Sequence, residues 1–317
     1  MSAVVQPFDL DVLQTGTHLT RLMEDAFHSA VLSVSKIGEG FYAYVYRISL
    51  AKEPKEVIVK CHKYAGRSEK ERQQLAVLRK HALVKVPEVY ALHLYTDDFP
   101  CEALSMEYIP GLNASKIEFP NQQLQRRFVD AVVENLLAWH TVSNSNGFGD
   151  LDGPFYPTWP DYFERRIGPY HARIHQDRHK TVVSGYVMGI IERSWAELPR
   201  IFPKTRRPSS LVHSDYNAWN MLVDPLTYEL TGVIDPIDAG WSDYEIDLFH
   251  LPNCRPELGL LARYLQEIDA DEPFWLRYNF YRFWDDVKHY LRMGWYEEER
   301  FRGYAKALEQ AMDECLD

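Results

Sequence analysis

The segment Leu211–Leu248, LVHSDYNAWNMLVDPLTYELTGVIDPIDAGWSDYEIDL, constrains this chain more than any other stretch. It sets Asp215, Asn220 and Asp235 at intervals that suit phosphoryl transfer: a carboxylate and a carboxamide at the two ends of a short loop, then a further carboxylate. The apolar run Met221-Leu222-Val223, the turn signal Asp224-Pro225 and the run Leu230 to Ile234 predict two short antiparallel strands. Such a hairpin returns Asp235 to the neighbourhood of Asn220. Mg²⁺ takes hard oxygen ligands and keeps several waters, so Asn220 and Asp235 completed by substrate phosphates make a sufficient metal site. Asp215 is then left to accept the proton of an attacking hydroxyl, whose loose transition state asks for alignment more than for strong activation. Any one of these residues alone fits an ordinary loop, because Asp and Asn bond readily to nearby backbone. Their joint spacing points to catalysis.

HSDYNAWN followed by VIDPIDAGWSDYEIDL resembles the catalytic loop and metal-binding segment of the aminoglycoside phosphotransferase superfamily, and IDP with SDYEIDL is most similar to its fructosamine kinase branch. The resemblance implies an α+β, bilobal protein-kinase-like fold, with a small N-terminal antiparallel-sheet lobe and a larger, mainly helical C-terminal lobe, using ATP and Mg²⁺. Ser214 departs from the pattern, standing where the family usually has Gly. The resemblance also implies that Asp247 braces the catalytic loop by accepting backbone N–H bonds; the other reading is a solvated carboxylate in a first helical turn. His213 is expected to support the loop by packing, and Asp238 is the reserve metal ligand should Asp235 not serve. Ser242-Asp243-Tyr244-Glu245 has the form of a capping box, which predicts a helix starting at Ser242. No long activation segment then fits after Asp235, which favours a small-molecule kinase over a protein kinase.

The first hundred residues carry matching features. Val34 to Tyr46 reads as strand, glycine turn and strand, with Gly38 and Gly40 free of the Cβ that would keep phosphates at a distance. Two glycines between strands are by themselves an ordinary hairpin. Glu56 to Lys60 is an apolar strand ending in a lysine, at the place where kinase-like folds pair a lysine with the α- and β-phosphates. Glu71 has Leu75 and Leu78 on its own helical face, so it points toward the core and needs a cation such as Lys60; Glu69 is the alternative in poorer phase. Leu104 to Gly111 predicts a strand running into a Pro-Gly break. In the family this is the hinge for adenine, which implies Met106 behind the base and the Glu107–Tyr108 backbone along its edge. The expected division falls after Gly111: residues 1–111, with an N-terminal helical extension, form the nucleotide-binding lobe, and 112–317 the catalytic and acceptor-binding lobe.

Composition bounds the partners. The net charge of −11, without a basic stripe, argues against nucleic acid. No apolar run reaches the roughly 18–20 residues of a membrane span, and Met1 to Leu10 lacks the pattern of a signal peptide. Cys61, Cys101, Cys254 and Cys315 show no metal-ligand spacing, which fits a cytoplasmic protein with reduced thiols. From Leu261 to Asp317 there are 13 acidic and 8 basic side chains, a net −5. Acidic walls would attract a cationic or sugar-like small-molecule acceptor, although acidic helices also serve solubility. The aromatic stripe Phe274 to Trp284 reads first as core and second as a sugar-stacking wall, with Asp285 or Asp286 facing an acceptor. The expected activity is transfer of the ATP γ-phosphate to a hydroxyl of an amine-bearing acceptor, as in a fructosamine kinase. The alternatives are an antibiotic phosphotransferase and a nucleotide-binding pseudokinase; the joint presence of Lys60, Asp215, Asn220 and Asp235 counts against the last.

Overall fold

Alternating burial along residues 43–62 makes a strand pair with one dry face, and a computed structural model builds the first sheet around it; residues 7–10, 16–176, 182–204 and 207–316 are described. Expectations for Met1–Gln6 lie outside the described residues. The sheet has the order β1 (Val31–Glu39), β2 (Ala43–Leu50), β3 (Glu56–His62), β5 (Glu102–Glu107), β4 (Val89–His93), antiparallel throughout. On β3 the period of two buries Val57, Val59 and Cys61 on one face and places Ile58 and Lys60 on the other. Helix α1 (Thr17–Phe27) adds Leu19 and Met23, four residues apart, to the same core. Each such fully buried side chain contributes about 1.5–3 kcal/mol. Helix α2 (Arg67–His81) packs against β4 and β5 with Glu71, Leu75 and Leu78 buried, the phase its sequence predicts.

A second, three-stranded sheet joins β6 (Leu112–Asn113) to the hairpin β10 (Met221–Val223) and β11 (Leu230–Val233). The hairpin turn is made by Asp224, whose carboxylate accepts the N–H groups of Leu226 and Thr227 at 2.7 and 2.9 Å. Gly111 has φ 148°, and a Cβ there would lie 2.9 Å from the Thr231 hydroxyl and 3.1 Å from the Val223 carbonyl. Only glycine allows this approach. By packing, the chain forms two compact units: Met1–Glu118 with Asn220–Ile237, and Phe119–Trp219 with Asp238–Asp317.

The second unit is mainly helical: α3 (Gln122–His140), α4 (Trp159–Gln176), α5 (Gly185–Ala196), α6 (Leu198–Ile201), α7 (Glu245–Leu248), α8 (Leu260–Tyr264), α9 (Phe274–Met293) and α10 (Glu298–Leu316). Its small sheet has the order β8 (Phe155–Tyr156), β7 (Phe148–Gly149), β12 (Gly240–Ser242), β9 (Ser210–Val212). Asn121 starts α3 by accepting the Leu124 N–H, and Gly294 at φ 71° ends α9. Apart from the half-exposed Trp275, the aromatic stripe of α9 is core: Phe280 and Tyr281 contact Phe163 and Phe202, and Trp284 stacks on Phe280. No helix among the described residues is long and apolar enough to cross a membrane.

The expected capping box is not formed. Ser242 ends β12, paired with Ser210, so its backbone belongs to a sheet when it would have to open a helix. Helix α7 starts only at Glu245, whose N–H is taken by the Asp243 carboxylate at 3.2 Å, and lasts one turn. Glu245 instead receives Arg277 in a two-pronged ion pair at 2.7 Å. The connection from Asp235 is nevertheless as short as the sequence implies.

Candidate active site

In the first unit, strand alternation turns Lys60 to the face covered by α2, where its ammonium donates to Glu71 at 2.7 Å and to Asp235 at 2.5 Å. Lys60 and Glu71 are almost wholly buried, whereas the Asp235 side chain is 46% exposed, so one of the three groups is open to a ligand. Glu69 bonds Arg72 and Gln73 instead. Burial opposes both charges of the Lys60–Glu71 pair; the two carboxylates outweigh it and raise the Lys60 pKa, while Lys60 and His62 outweigh it at Glu71 and bring its carboxyl down to about 2. A carboxyl lowered on folding stabilises the fold above its ordinary value near 4.5, and that contribution is lost as pH falls toward about 2. Lys60, Glu71 and Asp235 border a cavity of about 30 Å³, space for one or two water-sized groups.

Asp235 arrives there through the hairpin. The Ile234 N–H donates to the Asn220 carbonyl at 2.9 Å, closing the pair after Met221↔Val233, so Asn220 and Asp235 flank one end of the two strands. Asp235 takes φ 62°, a left-handed conformation that Asp tolerates better than most residues. Asp238 is placed differently, with Arg166 at 3.5 Å and Arg292 at 3.9 Å in the second unit. Gly38 pairs with Val45 beside a bulge, and the Gly40 N–H donates to the Ala43 carbonyl. Neither has positive φ, and a Cβ at either would meet only ordinary contacts, 3.5 Å or longer. The chain's own packing therefore does not demand glycine at these two positions. Met106 is buried between Ile58 and Val89; the Glu107 N–H is already donated to the Glu88 carbonyl at 2.8 Å, and Tyr108 lies under the Arg47 guanidinium.

In the second unit, Asp215 lies on the loop after β9. Its carboxylate accepts from the Asn217 side chain at 2.7 Å and stands 3.6 Å from His250 Nδ1. The loop is held by Asp247, fully buried on α7, which accepts the N–H groups of His213 at 2.9 Å and Ser214 at 2.6 Å and meets His140 Nε2 at 3.1 Å. Burial pushes the Asp247 carboxyl up, but the His140 and His213 interactions prevail and hold it below the usual range. His213 is packed, stacked on Trp139, as expected of a supporting residue. Burial lowers the His250 pKa to about 4, so a neutral imidazole faces Asp215 at pH 7. Of the two carboxylates after the aromatic stripe, Asp286 is buried against Arg300, and Asp285 interacts with His250, Lys288 and His289.

Ser214 occupies φ 66°, which explains why glycine suits this position. A left-handed conformation costs a non-glycine residue about 1–2 kcal/mol, partly offset by the chain entropy glycine loses on folding. Ser214→Gly is therefore expected to stabilise the chain by up to about 1 kcal/mol in chemical denaturation, with an unchanged slope; a destabilised variant would show that the serine hydroxyl outweighs the strain.

Four residues of this arrangement were missed in the sequence: His62, Asn217, His250 and His140, which meets Asp247 across 107 positions. His62 Nε2 donates to the Glu71 carboxylate at 2.8 Å and its Nδ1 meets the Ser68 hydroxyl at 2.7 Å, and its position two after Lys60 on one strand was the available signal. Asn217, two after Asp215, was visible as a local partner; His250 had no local signal.

The Phosphotransferase enzyme family matches residues 33–281 of the chain. The chain belongs to this family. This phosphotransferase is 23% identical over 257 residues to the uncharacterized protein YcbJ of Escherichia coli (strain K12), covering 80% of this chain and 85% of YcbJ. In structure it is similar to a candidate fructosamine-3-kinase from Thermobifida fusca YX-ER1, with 20% identity and TM-score 0.68 over 92% of this chain and 98% of that one. It is also similar to a thermostable mutant of aminoglycoside phosphotransferase APH(4)-Ia in ternary complex with ADP and hygromycin B, with 17% identity and TM-score 0.70 over 95% and 100%. The α+β, kinase-like fold of the phosphotransferase thus agrees with the expectation from sequence.

Proposed function

We propose that this phosphotransferase moves the γ-phosphate of ATP to a hydroxyl of a small, amine-bearing acceptor of the fructosamine (ketosamine) class. The observation that carries the reading is the buried Lys60–Glu71 pair, joined by Asp235, because no structural need explains a lysine placed between two carboxylates on an apolar strand. Lys60 is the cation for the α- and β-phosphates, and Glu71 fixes its direction. Gly38 and Gly40, where packing would accept a Cβ, leave their backbone open to phosphate. Met106 and the Glu107–Tyr108 segment form the adenine side, with the Glu107 N–H excluded as a donor.

Asn220 and Asp235 offer a carboxamide oxygen and a carboxylate, a donor set that fits Mg²⁺. When bound, Mg²⁺ supplies charge neutralisation on the phosphate oxygens. Asp215 accepts the acceptor hydroxyl's proton as its oxygen bonds the γ-phosphorus and the bond from that phosphorus to the β,γ-bridging oxygen breaks, releasing ADP; Asn217 orients the carboxylate, and Asp247 holds the loop that carries it. The acidic excess of Leu261–Asp317 favours a cationic acceptor.

The test of the reading is acceptor-stimulated ADP release with MgATP and a panel of fructosamines, ribulosamines, aminoglycosides and amino-alcohols. Stimulation by ketosamines supports it. Stimulation by aminoglycosides alone moves the assignment to an antibiotic phosphotransferase, and MgATP binding with silence across the panel favours a pseudokinase. The clamp has its own test. Lys60→Ala and Glu71→Ala should each weaken ATP binding, and the double variant should lose less than the sum, with a coupling of about 0.5–3 kcal/mol; full additivity would show that the two do not act as a pair.

A further inference from the structure

A second constellation of ligating side chains lies outside the residues assigned to the candidate active site. His171 and His175 are four apart on α4 and therefore share a helical face. Their Nε2 atoms face each other at 3.3 Å. Glu192 of α5 meets both, with one carboxylate oxygen 2.5 Å from His175 Nε2 and the other 3.6 Å from His171 Nε2. The three ligating atoms lie within 4.8 Å of one another. With metal–ligand bonds of about 2.0–2.1 Å, adjacent donors of a tetrahedral zinc site are roughly 3.3 Å apart. The His171–His175 and His171–Glu192 separations already match this edge to within about 0.3 Å. The other carboxylate oxygen, 2.5 Å from His175 Nε2, stands closer than such an edge, and Glu192, 48% exposed, can adjust by rotating its side chain.

A surface ion pair accounts for His175 and Glu192 alone. Two imidazoles also aim the same ring nitrogen at one point, where two protonated rings would repel and a neutral pair is held by a single N–H···N bond for which Glu192 competes. A cation takes both. His171 is also held in place, stacked on Trp195 with ring centres 4.3 Å apart and planes 10° from parallel.

We propose that His171, His175 and Glu192 bind a divalent transition-metal ion of the Zn²⁺ class, which clamps α4 to α5. Imidazole donors suit Zn²⁺, Co²⁺ and Ni²⁺ and disfavour Mg²⁺, so the site takes a different ion from the one proposed for Asn220 and Asp235. Three protein ligands leave a fourth position for water. The inference does not depend on the proposed phosphoryl transfer.

The experiment is titration of the untagged, chelator-stripped full chain with Co²⁺, followed by the visible absorption that tetrahedral cobalt gives, and then by displacement with Zn²⁺. One equivalent should bind with an apparent dissociation constant of about 1 μM or below, and Zn²⁺ should raise the melting temperature. His175→Ala and Glu192→Gln should each weaken binding at least about tenfold and abolish the Zn²⁺-dependent rise. Both side chains lie near the surface, and circular dichroism establishes that the variants fold. Asp235→Asn should leave the cobalt spectrum unchanged. Absence of saturable one-to-one binding, equal affinity in both His175→Ala and Glu192→Gln, or loss of the spectrum in Asp235→Asn would each overturn the proposal.

Discussion

Asp215→Asn should cut turnover by roughly 10²- to 10⁴-fold while MgATP binding stays close to that of the unaltered chain. The exchange keeps shape and size, and an amide oxygen can still accept the Asn217 hydrogen bond seen at 2.7 Å. What it removes is a carboxylate able to take a proton. His250 cannot substitute readily, because burial holds its pKa near 4 and its contact with the catalytic position runs through Asp215 itself, at 3.6 Å. The proposed phosphate clamp, Lys60 with Glu71, is assembled entirely within the other compact unit, so the nucleotide side should be unaffected. Steady-state turnover set beside equilibrium nucleotide binding checks both halves. Undiminished turnover would take the role of base away from Asp215.

The largest loss of stability is expected at Asp247→Ala, about 3–5 kcal/mol in chemical denaturation. Removing this buried carboxylate leaves two backbone N–H groups, those of His213 and Ser214, without their acceptor, and takes from His140 its Nε2 partner, its Nδ1 keeping the Tyr264 hydroxyl. Each unsatisfied buried donor costs about 1–3 kcal/mol. Ser214 sits in a left-handed conformation that its bond to Asp247 helps to hold, so the loop carrying Asp215 should loosen as well. Turnover should therefore fall in Asp247→Ala even under conditions where the chain remains folded. A loss below about 1 kcal/mol would mean that water or a shifted loop replaces the brace.

What the sequence made legible was local. The hairpin follows from two apolar runs around Asp224-Pro225, and its pairing brings Asn220 and Asp235 to the same end. Glu71 could be chosen over Glu69 because its helical phase agrees with Leu75 and Leu78, and the ion pair with Lys60 follows from that phase. What local pattern could not supply was long-range. The bond between Asp247 and the loop spans 33 to 34 positions, and only the resemblance pointed to it. A boundary drawn after Gly111 is likewise a local reading. Pairing of Leu112 and Asn113 with Val223 and Leu222 carries the chain past that point and draws the distant hairpin into the first unit. The Ser242–Glu245 pattern misled for a related reason: strand pairing with Ser210 claimed the backbone that a cap would have used. Glu192 opposite His171 and His175 belongs to the same class, since nothing in its own neighbourhood marks it as a ligand.

Transfer of phosphate to a small-molecule hydroxyl is tested by following the phosphate itself. With γ-labelled ATP, Mg²⁺ and the acceptor that most stimulates ADP release, the label should be recovered in a phosphate ester of the acceptor, in step with ADP, and lost in Asp215→Asn. Label appearing only as inorganic phosphate, or transfer that persists in Asp215→Asn, would contradict it.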